Sequence, residues 1–257
     1  MIDTHSHIYL PEFDQDRDEV VARAKAAGVE HVVLPNVDVS TIGPLKNTLK
    51  TYPGFCSGAA GLHPTSVGAD YGKRLEDFEK ELANGGYVAV GEIGIDLYWD
   101  KTFYKEQAAA FEVQLKWAEQ SGLPVIIHAR ESLEEIVRVI NKTVPGHCRG
   151  VFHSFTGNRE QVWAIRNSGD FLFGINGIVT FKNSSLPQVL PEIGIENIVL
   201  ETDAPYLSPV PYRGKRNEPS FLPYICCRLG VIFGLPPEEV ERITTANARR
   251  LFGEGRF

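Results

Sequence analysis

Short apolar runs alternate with longer helical patterns from one end of the chain to the other. In the longer segments, apolar residues recur at helical spacing over 14–27 before Gly28, over 105–121 before Gly122, and from Pro237 onward. The short runs are predicted as β-strands, because nearly all-apolar runs are typical of parallel strands buried on both faces. They lie at 1–3, 31–34, 55–61, 87–90, 125–127, 150–152, 171–173 and 198–200.

Eight strand–helix units predict an α/β fold, either a closed parallel barrel or a doubly wound sheet. The count of eight favours a single (β/α)8 TIM barrel. The polar residues that end several apolar strands favour it too, since barrel enzymes build their sites at the C-terminal ends of the strands. We find no repeat, low-complexity tract or linker in the 257 residues, so we expect one domain over 1–257.

The composition is that of a globular protein, with 43% hydrophobic and 23% charged residues. No apolar run approaches the ~20 residues that span a bilayer, and the first residues lack the pattern of a signal peptide. The four cysteines show no CxxC spacing, so we interpret them as small buried hydrophobic residues in a reducing compartment. We therefore expect a cytoplasmic protein without membrane contact.

The charge balance limits the partners that the surface attracts. With 26 Lys and Arg against 33 Asp and Glu, the net charge is −7. Such a surface repels polyanions and excludes loose electrostatic coating of duplex DNA or of a membrane. A nucleic acid held at one positive point remains compatible with it.

Metal-binding residue types follow five of the predicted strands. His5 and His7 share a face after the first strand, and Glu92 lies among glycines after the fourth. Taken alone, a solvated pair is the default interpretation of His5 and His7, and an ordinary glycine-rich turn explains the Glu92 motif equally well. In a barrel, however, six such donors converge on one pocket: His5, His7, Glu92, His128, His153 and Asp203. Six N and O donors are too many for one metal with an open position, and they suit two metals bridged by Glu92.

The order and near-identity of seven motifs make the sequence resemble the TatD-type metal-dependent deoxyribonucleases, a branch of the amidohydrolase-like barrels. The motifs are Asp3-Thr4-His5-Ser6-His7, Gly61-Leu62-His63-Pro64, Gly91-Glu92-Ile93-Gly94, His128-Ala129-Arg130, Val151-Phe152-His153-Ser154-Phe155, Leu200-Glu201-Thr202-Asp203-Ala204-Pro205-Tyr206 and Arg213-Gly214-Lys215-Arg216-Asn217-Glu218-Pro219. Many other amidohydrolases bridge their metals with a modified lysine, so Glu92 favours this branch.

The resemblance implies a (β/α)8 barrel that holds two divalent ions. His5, His7 and Asp203 would bind one ion, His128 and His153 the other, and Glu92 would bridge them. It also implies hydrolysis of DNA phosphodiester bonds, as 3′→5′ exonuclease action on single strands through a water activated by two metals. The donor types suit Zn²⁺ or Mn²⁺, whereas the resemblance implies Mg²⁺, so the metal stays open among the three.

Charge arithmetic is compatible with an anionic substrate at this site. Two divalent ions carry four positive charges, against two negative charges on Glu92 and Asp203, so the pocket attracts a phosphate although the surface is acidic. We expect Asp203 to act also as general base toward the attacking water.

Several further residues are predicted to contact substrate. For the cations Arg130, Arg213, Lys215 and Arg216 the partner would be a flanking phosphate, although a solvated charge run is the alternative for the last three. For His63 and Glu201 the alternatives are substrate contact, orientation of ligands, a further ion, or packing. Asp96 would fix a metal-binding histidine or cap a loop, and Tyr98, Trp99 and Tyr206 would stack on bases or pack. His31 and His147 belong at the opposite end of the barrel and receive no role.

Two other functions remain open from the sequence. One is a related metal-dependent hydrolase of a small ester, amide or phosphoester, which a closed apolar pocket would favour over an open aromatic groove. The other is a binding protein without catalysis, which the complete donor set disfavours. We find no heptad pattern or evident interface and therefore expect a monomer without an obligate protein partner.

Overall fold

The computed structural model describes residues 1–253 and 255. Eight parallel strands form one sheet in chain order, with each strand hydrogen-bonded to the next. The strands are β1 (Ile2–Asp3), β2 (His31–Pro35), β3 (Cys56–Ala60), β4 (Tyr87–Asp96), β5 (Val125–Arg130), β6 (Arg149–Phe152), β7 (Asp170–Ile175) and β8 (Ile198–Leu200).

Helices follow each strand and cover the outside of the sheet. They are α1 (Arg17–Ala26), α2 (Ile42–Thr51), α3 (Tyr71–Ala83), α4 (Tyr104–Ser121), α5 (Leu133–Thr143), α6 (Arg159–Arg166), α7 (Leu186–Ile193), α8 (Leu222–Phe233) and α9 (Pro237–Phe252). The predicted TIM barrel is confirmed, and each predicted strand has its counterpart. The helix predicted over 105–121 is confirmed as α4, which ends at Gly122 in the left-handed conformation.

The barrel closes between its first and last strands. The amide and hydroxyl of Thr4 donate to the carbonyl of Leu200 at 2.9 and 3.0 Å. Further along, the amide of His7 donates to the carbonyl of Ala204 at 2.7 Å, and the amide of Asp203 donates to the carbonyl of His5 at 2.8 Å. The segments that carry His5 and Asp203 are therefore held side by side.

Several predicted boundaries are wrong, most clearly those of the first helix and of the fourth and fifth strands. The fifth strand runs to Arg130 instead of ending at 127, so His128 lies within it. The first helix begins at Arg17 rather than at 14, because a 3₁₀ turn over Pro11–Phe13 comes first and the carboxylate of Asp16 bonds to Arg216 and Arg23. The fourth strand continues to Asp96 instead of ending at 90. Its second half pairs in register with β5, Gly94 opposite His128, so Glu92 lies within a strand and not after one.

A small apolar cluster takes at least one residue from each strand and therefore fills the barrel interior. It comprises Ile2, Val33, Ala59, Val88, Ala89, Ile126, Val151, Leu172 and Val199, together with Ala248, Leu251 and Phe252 of α9. Because side chains two apart share a strand face, the next inward positions after Ile126 and Val151 are His128 and His153. The strand pattern thus places these imidazoles directly above this apolar cluster.

Two further predictions concern membranes and cysteines. Over residues 1–253 and 255 no individual helix is long and apolar enough to cross a membrane. Only Pro219–Phe233 and Pro237–Phe252 taken together have the length and composition of a membrane span, and a 107° bend separates them. All four cysteines are free, but Cys227 is exposed, because it lies on the solvent side of α8 next to buried Cys226. The interpretation of every cysteine as buried is therefore wrong for Cys227.

Candidate metal centre and active site

His5 and His7 point their Nε2 atoms at one another, 3.1 Å apart, in the segment after β1. Oδ1 of Asp203 lies 3.8 Å from Nε2 of His5 and 3.6 Å from Nε2 of His7. Two imidazole nitrogens and a carboxylate oxygen therefore face one point between β1 and β8.

Glu92 lies at the centre of the donor cluster, and its two oxygens face different histidines. Oε2 is 3.1 Å from Nε2 of His5. Oε1 is 2.9 Å from Nδ1 of His128 and 3.9 Å from Nε2 of His153. One carboxylate thus spans the His5 side and the His128 side of the cluster, which is the geometry of a bridging ligand.

The glycines around Glu92 allow β4 to run close to β5. Gly94 has φ +146°, and a Cβ atom there would overlap the carbonyl oxygen of His128. Any other residue at this position would push the two strands apart. The distance between Glu92 and His128 depends on this approach.

The outer nitrogen of His7 is fixed by a tyrosine. Tyr9 donates its hydroxyl proton to the carbonyl of Pro35 at 2.7 Å, so its oxygen accepts from Nδ1–H of His7 at 3.0 Å. The proton of the neutral ring is then on Nδ1, and the lone pair of Nε2 faces the cluster. Hydrogen bonding therefore prepares His7 to donate to a cation.

Two carboxylates lie against the outer nitrogens of His128 and His153, with hydrogen-bond geometry at His128 and an ion-pair contact at His153. Oδ2 of Asp96 lies 2.9 Å from Nε2 of His128, and Oε1 of Glu201 lies 3.1 Å from Nδ1 of His153. In each ring the other nitrogen faces Glu92. Carboxylate–histidine pairs of this kind are common behind metal ligands, where they set ring orientation and raise basicity.

In His63 the ring nitrogen that faces Glu92 carries the proton, unlike the nitrogen of His7 that faces the cluster. Nδ1 of His63 accepts from the amide of Thr65 at 3.2 Å, which puts the proton of the neutral ring on Nε2. Nε2 lies 3.3 Å from Oε1 of Glu92 and can donate to it. We therefore interpret His63 as a hydrogen-bond donor to Glu92, although His63, Glu92 and His128 also lie close enough together to hold a cation.

Burial and neighbouring charges shift the pKa values of the cluster strongly. Burial lowers the pKa of His5 to about 4, and nearby His153 acts in the same direction. Burial alone would raise the pKa of Glu92, but the surrounding histidines hold it well below its usual range. His5 is therefore neutral and Glu92 ionised near neutral pH, which are the protonation states that metal ligands need.

His153 and Asp203 are coupled through their opposite charges. Burial would lower the pKa of His153, but Glu201, Asp203 and Glu92 raise it to about 10. Burial would raise the pKa of Asp203, but His153 and His7 lower it. The proton on His153 offsets clustered carboxylate charge, and a bound cation would compete with it.

The donor set fits divalent metal ions. Within the described part of the chain, Nδ1 of His5 and Oε2 of Glu201 are buried without a hydrogen-bond partner, and Glu92, Glu201 and Asp203 bury three carboxyl groups in one small volume. Buried charge of this density is costly unless it is compensated. Imidazole and carboxylate donors around one point are the ligands that Zn²⁺ and Mn²⁺ take in proteins.

The cluster opens into a cavity of about 750 Å³ at the C-terminal end of the barrel, here called the metal cavity. Trp99, Arg130 and Tyr206 line it, and the aromatic rings are 69% and 51% exposed. The guanidinium of Arg130 lies over the Tyr98 ring at 4.1 Å and near the Trp99 ring at 5.4 Å. This is an open, aromatic rim with one cation.

Three residues predicted to contact substrate lie outside that cavity, because loop geometry directs them elsewhere. Arg216 donates to both carboxylate oxygens of Asp16, at 2.8 and 2.7 Å. Arg213 packs over the Phe181 ring at 3.7 Å, and Lys215 lies 5.7 Å from the Tyr212 ring. None of these three lines the cavity, whereas Arg130 does. Their contact with flanking phosphates stays a prediction.

Glu201, for which substrate contact was one of the alternatives, does not line the cavity. It is fully buried beneath His153 and accepts a hydrogen bond from the amide of Ser154 at 2.6 Å. Gly174 makes room for it, since a Cβ there would overlap the Glu201 carboxylate. Its position supports orientation of His153.

Sequence reasoning missed two buried supports of the site. Asp3 accepts from the amide and hydroxyl of Thr202, at 2.9 and 2.6 Å, and so joins the His5 segment to the Asp203 segment. Tyr9 orients His7. A usable signal existed for Tyr9, because it continues the alternation of His5 and His7. For Asp3 the partner is 199 residues away in sequence, and no local pattern indicates it.

Comparison with known proteins gives consistent relatives. A family model described as TatD related DNase matches residues 2–253. The chain is 37% identical over 254 residues to the Bacillus subtilis protein named uncharacterized metal-dependent hydrolase YabD, and 34% identical over 259 residues to the Salmonella typhimurium 3′-5′ ssDNA/RNA exonuclease TatD, with 98% of each chain covered in both cases. The crystal structure of YJJV, a TatD homologue from Escherichia coli K12, superposes with a TM-score of 0.88 at 27% identity, covering 98% of this chain and 97% of that one.

Proposed function

The chain belongs to the TatD-related DNase family, and on that premise we propose that it is a 3′→5′ exonuclease that degrades single-stranded DNA with two divalent ions. The coarser assignment is a metal-dependent hydrolase that acts on phosphodiester bonds. The observation that carries the finer proposal is Glu92, whose two oxygens face two separate sets of histidines.

The proposed ligand sets are those that the family resemblance implies. His5, His7 and Asp203, which lie together, would hold one ion. His128 and His153, whose ring nitrogens lie 2.9 and 3.9 Å from Oε1 of Glu92, would hold the other, with Glu92 between the two ions. Ions held there would supply positive charge for the phosphate and lower the pKa of a bound water. Their identity is proposed as Mn²⁺, Zn²⁺ or Mg²⁺, in keeping with the mixed nitrogen and oxygen donors.

Asp203 is proposed as the general base. It lines the cavity, and its side chain keeps 12% of its surface exposed, whereas that of Glu92 keeps 3%. Its lowered pKa keeps the carboxylate ionised and able to accept a proton from the attacking water. Glu92 is enclosed by histidines and is better placed to bind than to exchange protons with substrate.

The cavity rim supports a nucleic-acid substrate over a small ester. Exposed Trp99 and Tyr206 offer faces on which bases can stack, and Arg130 offers a cation for a phosphate. A small-molecule hydrolase would enclose its ligand more completely. We also propose that the chain acts as a monomer, since it supplies all six proposed metal donors itself. A cytoplasmic location is proposed with it.

The test is cleavage of a 5′-labelled single-stranded oligonucleotide in Mg²⁺ or Mn²⁺, with a chelator control and Glu92→Ala beside the wild type. The proposal expects a descending ladder that needs metal and disappears in the variant. A 3′-labelled strand should release labelled mononucleotide first. Absence of cleavage by folded, metal-loaded wild type would overturn the exonuclease proposal.

A further inference from the structure

Two more grooves lie near the metal cavity, and their charges are opposite. The first, here the acidic groove, shares His153 with the cavity and is lined by Glu131, Glu134 and Glu135, with no Lys or Arg among its described lining residues. The second, here the basic groove, has a volume of about 540 Å³. It is lined by Lys182 and Arg228, and no carboxylate belongs to the part of its lining that the structure describes.

The basic groove begins where the rim of the metal cavity ends. Ile178 and Leu207 line the cavity, and Thr180 and Val210, two and three residues further along the same loops, line the groove. The amide of Val210 donates to Oγ1 of Thr180 at 2.9 Å and joins the two loops. Only these two joined loops therefore separate the metal cavity from the basic groove.

The cations of the groove have no carboxylate partners within residues 1–253 and 255. Lys182 is exposed, and Arg228 donates only to the carbonyl of Val179, at 3.4 Å. Arg213, at the edge of the groove, lies over Phe181, which lines it. By contrast, Arg216 and Arg23 are paired with acids. Three uncompensated cations beside one another in an acidic protein are a local site for anionic groups.

We propose that the basic groove binds the phosphates on the 5′ side of a single-stranded DNA whose 3′ end lies in the metal cavity. The inference rests on the proposed exonuclease function and deepens it by assigning the path of the strand. Lys182, Arg213 and Arg228 bind the backbone without reading sequence, and hydroxyls of Thr180 and Ser184 line the same path. Glu135 of the acidic groove is paired with Arg138, but Glu131 and Glu134 have no ion-pair partner among the described residues. These two carboxylates repel the backbone, so the strand leaves the cavity on the basic side.

Binding without cleavage tests the path directly. Fluorescence anisotropy of a labelled thymidine decamer, in chelator and over a salt series, is compared for wild type and Lys182→Glu/Arg213→Glu. We expect the variant to bind about tenfold more weakly, with a salt slope smaller by about 0.7 for each phosphate that it no longer neutralises. Lys50→Glu/Lys116→Glu, which makes the same change of net charge on α2 and α4, should bind like wild type.

Cleavage separates this proposal from the function on which it rests. With Mn²⁺, kcat/KM is measured for the decamer and for a thymidine dinucleotide, which is too short to fill cavity and groove together. The ratio of the decamer value to the dinucleotide value should fall about tenfold in the groove variant. Failure of wild type to cleave either substrate would count against the exonuclease while leaving the binding test in force. Equal decamer affinity in wild type and groove variant, or equal loss in the Lys50/Lys116 control, would overturn the groove proposal.

Discussion

Asp96 and His128 form a carboxylate–imidazole pair, with Oδ2 of the acid 2.9 Å from Nε2 of the ring. The carboxylate is held in turn by the amides of Tyr98 and Trp99, at 2.9 and 3.1 Å. Burial would raise the pKa of Asp96, but His128 and these amides lower it to about 2. Asp96 is thus ionised and fixes the ring so that Nδ1 faces Glu92.

Replacing Asp96 by Asn should weaken metal binding and cleavage. Loss of such a supporting carboxylate costs about 10- to 100-fold in metal affinity or activity. Isothermal titration with Mn²⁺ and the oligonucleotide assay measure the two effects. Asp170→Asn, at the start of β7 and so at the other end of the barrel, is the matched control. Wild-type metal affinity in Asp96→Asn would contradict the assigned role.

Arg216→Ala should change stability and leave substrate binding intact. Its guanidinium bonds to Asp16 and to the carbonyl of Glu12 and lies over the Phe13 ring at 4.5 Å. The partly exposed pair predicts a loss of about 1 kcal/mol or less in the free energy of unfolding. Denaturant titration measures it, and Lys215→Ala is the control from the same charge run. A raised KM for the decamer with unchanged stability would contradict this and show that Arg216 contacts substrate.

Trp99→Ala should raise KM for single-stranded DNA with little change in kcat. Stacking of one base on an aromatic ring is worth ~1–3 kcal/mol, so a rise of about tenfold is expected. Trp163→Ala is the matched control, since Trp163 is 54% exposed but lies on α6 away from the cavity lining. Equal kinetics for Trp99→Ala and wild type would remove Trp99 from the substrate path.

His31 should make the fold sensitive to acid. Burial lowers the pKa of this imidazole from 6.5 to about 4, and its Nε2 lies 2.8 Å from Oγ of Ser57. The folded state favours the neutral ring, so its contribution to stability is complete above pH 6.5 and is lost as pH falls from 6.5 to 4. In thermal unfolding over this window, wild type should lose more stability than His31→Gln. Parallel losses in the two proteins would contradict the assignment.

The sequence predicts the barrel well because its signals are local. Each strand is an apolar run of its own, and His128 and His153 follow equivalent runs, so their convergence needs only the barrel topology. The apolar pattern does not predict the extension of β4 to Asp96, because glycines normally interrupt strands, whereas Gly94 here permits close contact with β5.

Contacts between distant segments were not predictable. The pairing of Arg216 with Asp16 spans 200 residues, and no spacing in the chain indicates it. Residue types likewise cannot specify which nitrogen of an imidazole faces the cluster. That choice depends on Tyr9 for His7 and on Thr65 for His63. As a result His7 is a proposed metal ligand, whereas His63 is a hydrogen-bond donor.

If Glu92 bridges two metal ions, the number of ions bound per chain depends on it. Mn²⁺ bound per chain should be measured by equilibrium titration for wild type and Glu92→Ala, with thermal unfolding to verify that both are folded. Wild type should bind two ions, and the variant should bind metal more weakly or incompletely and lose DNA cleavage. Two tightly bound ions and wild-type cleavage in Glu92→Ala would contradict the bridging role of Glu92.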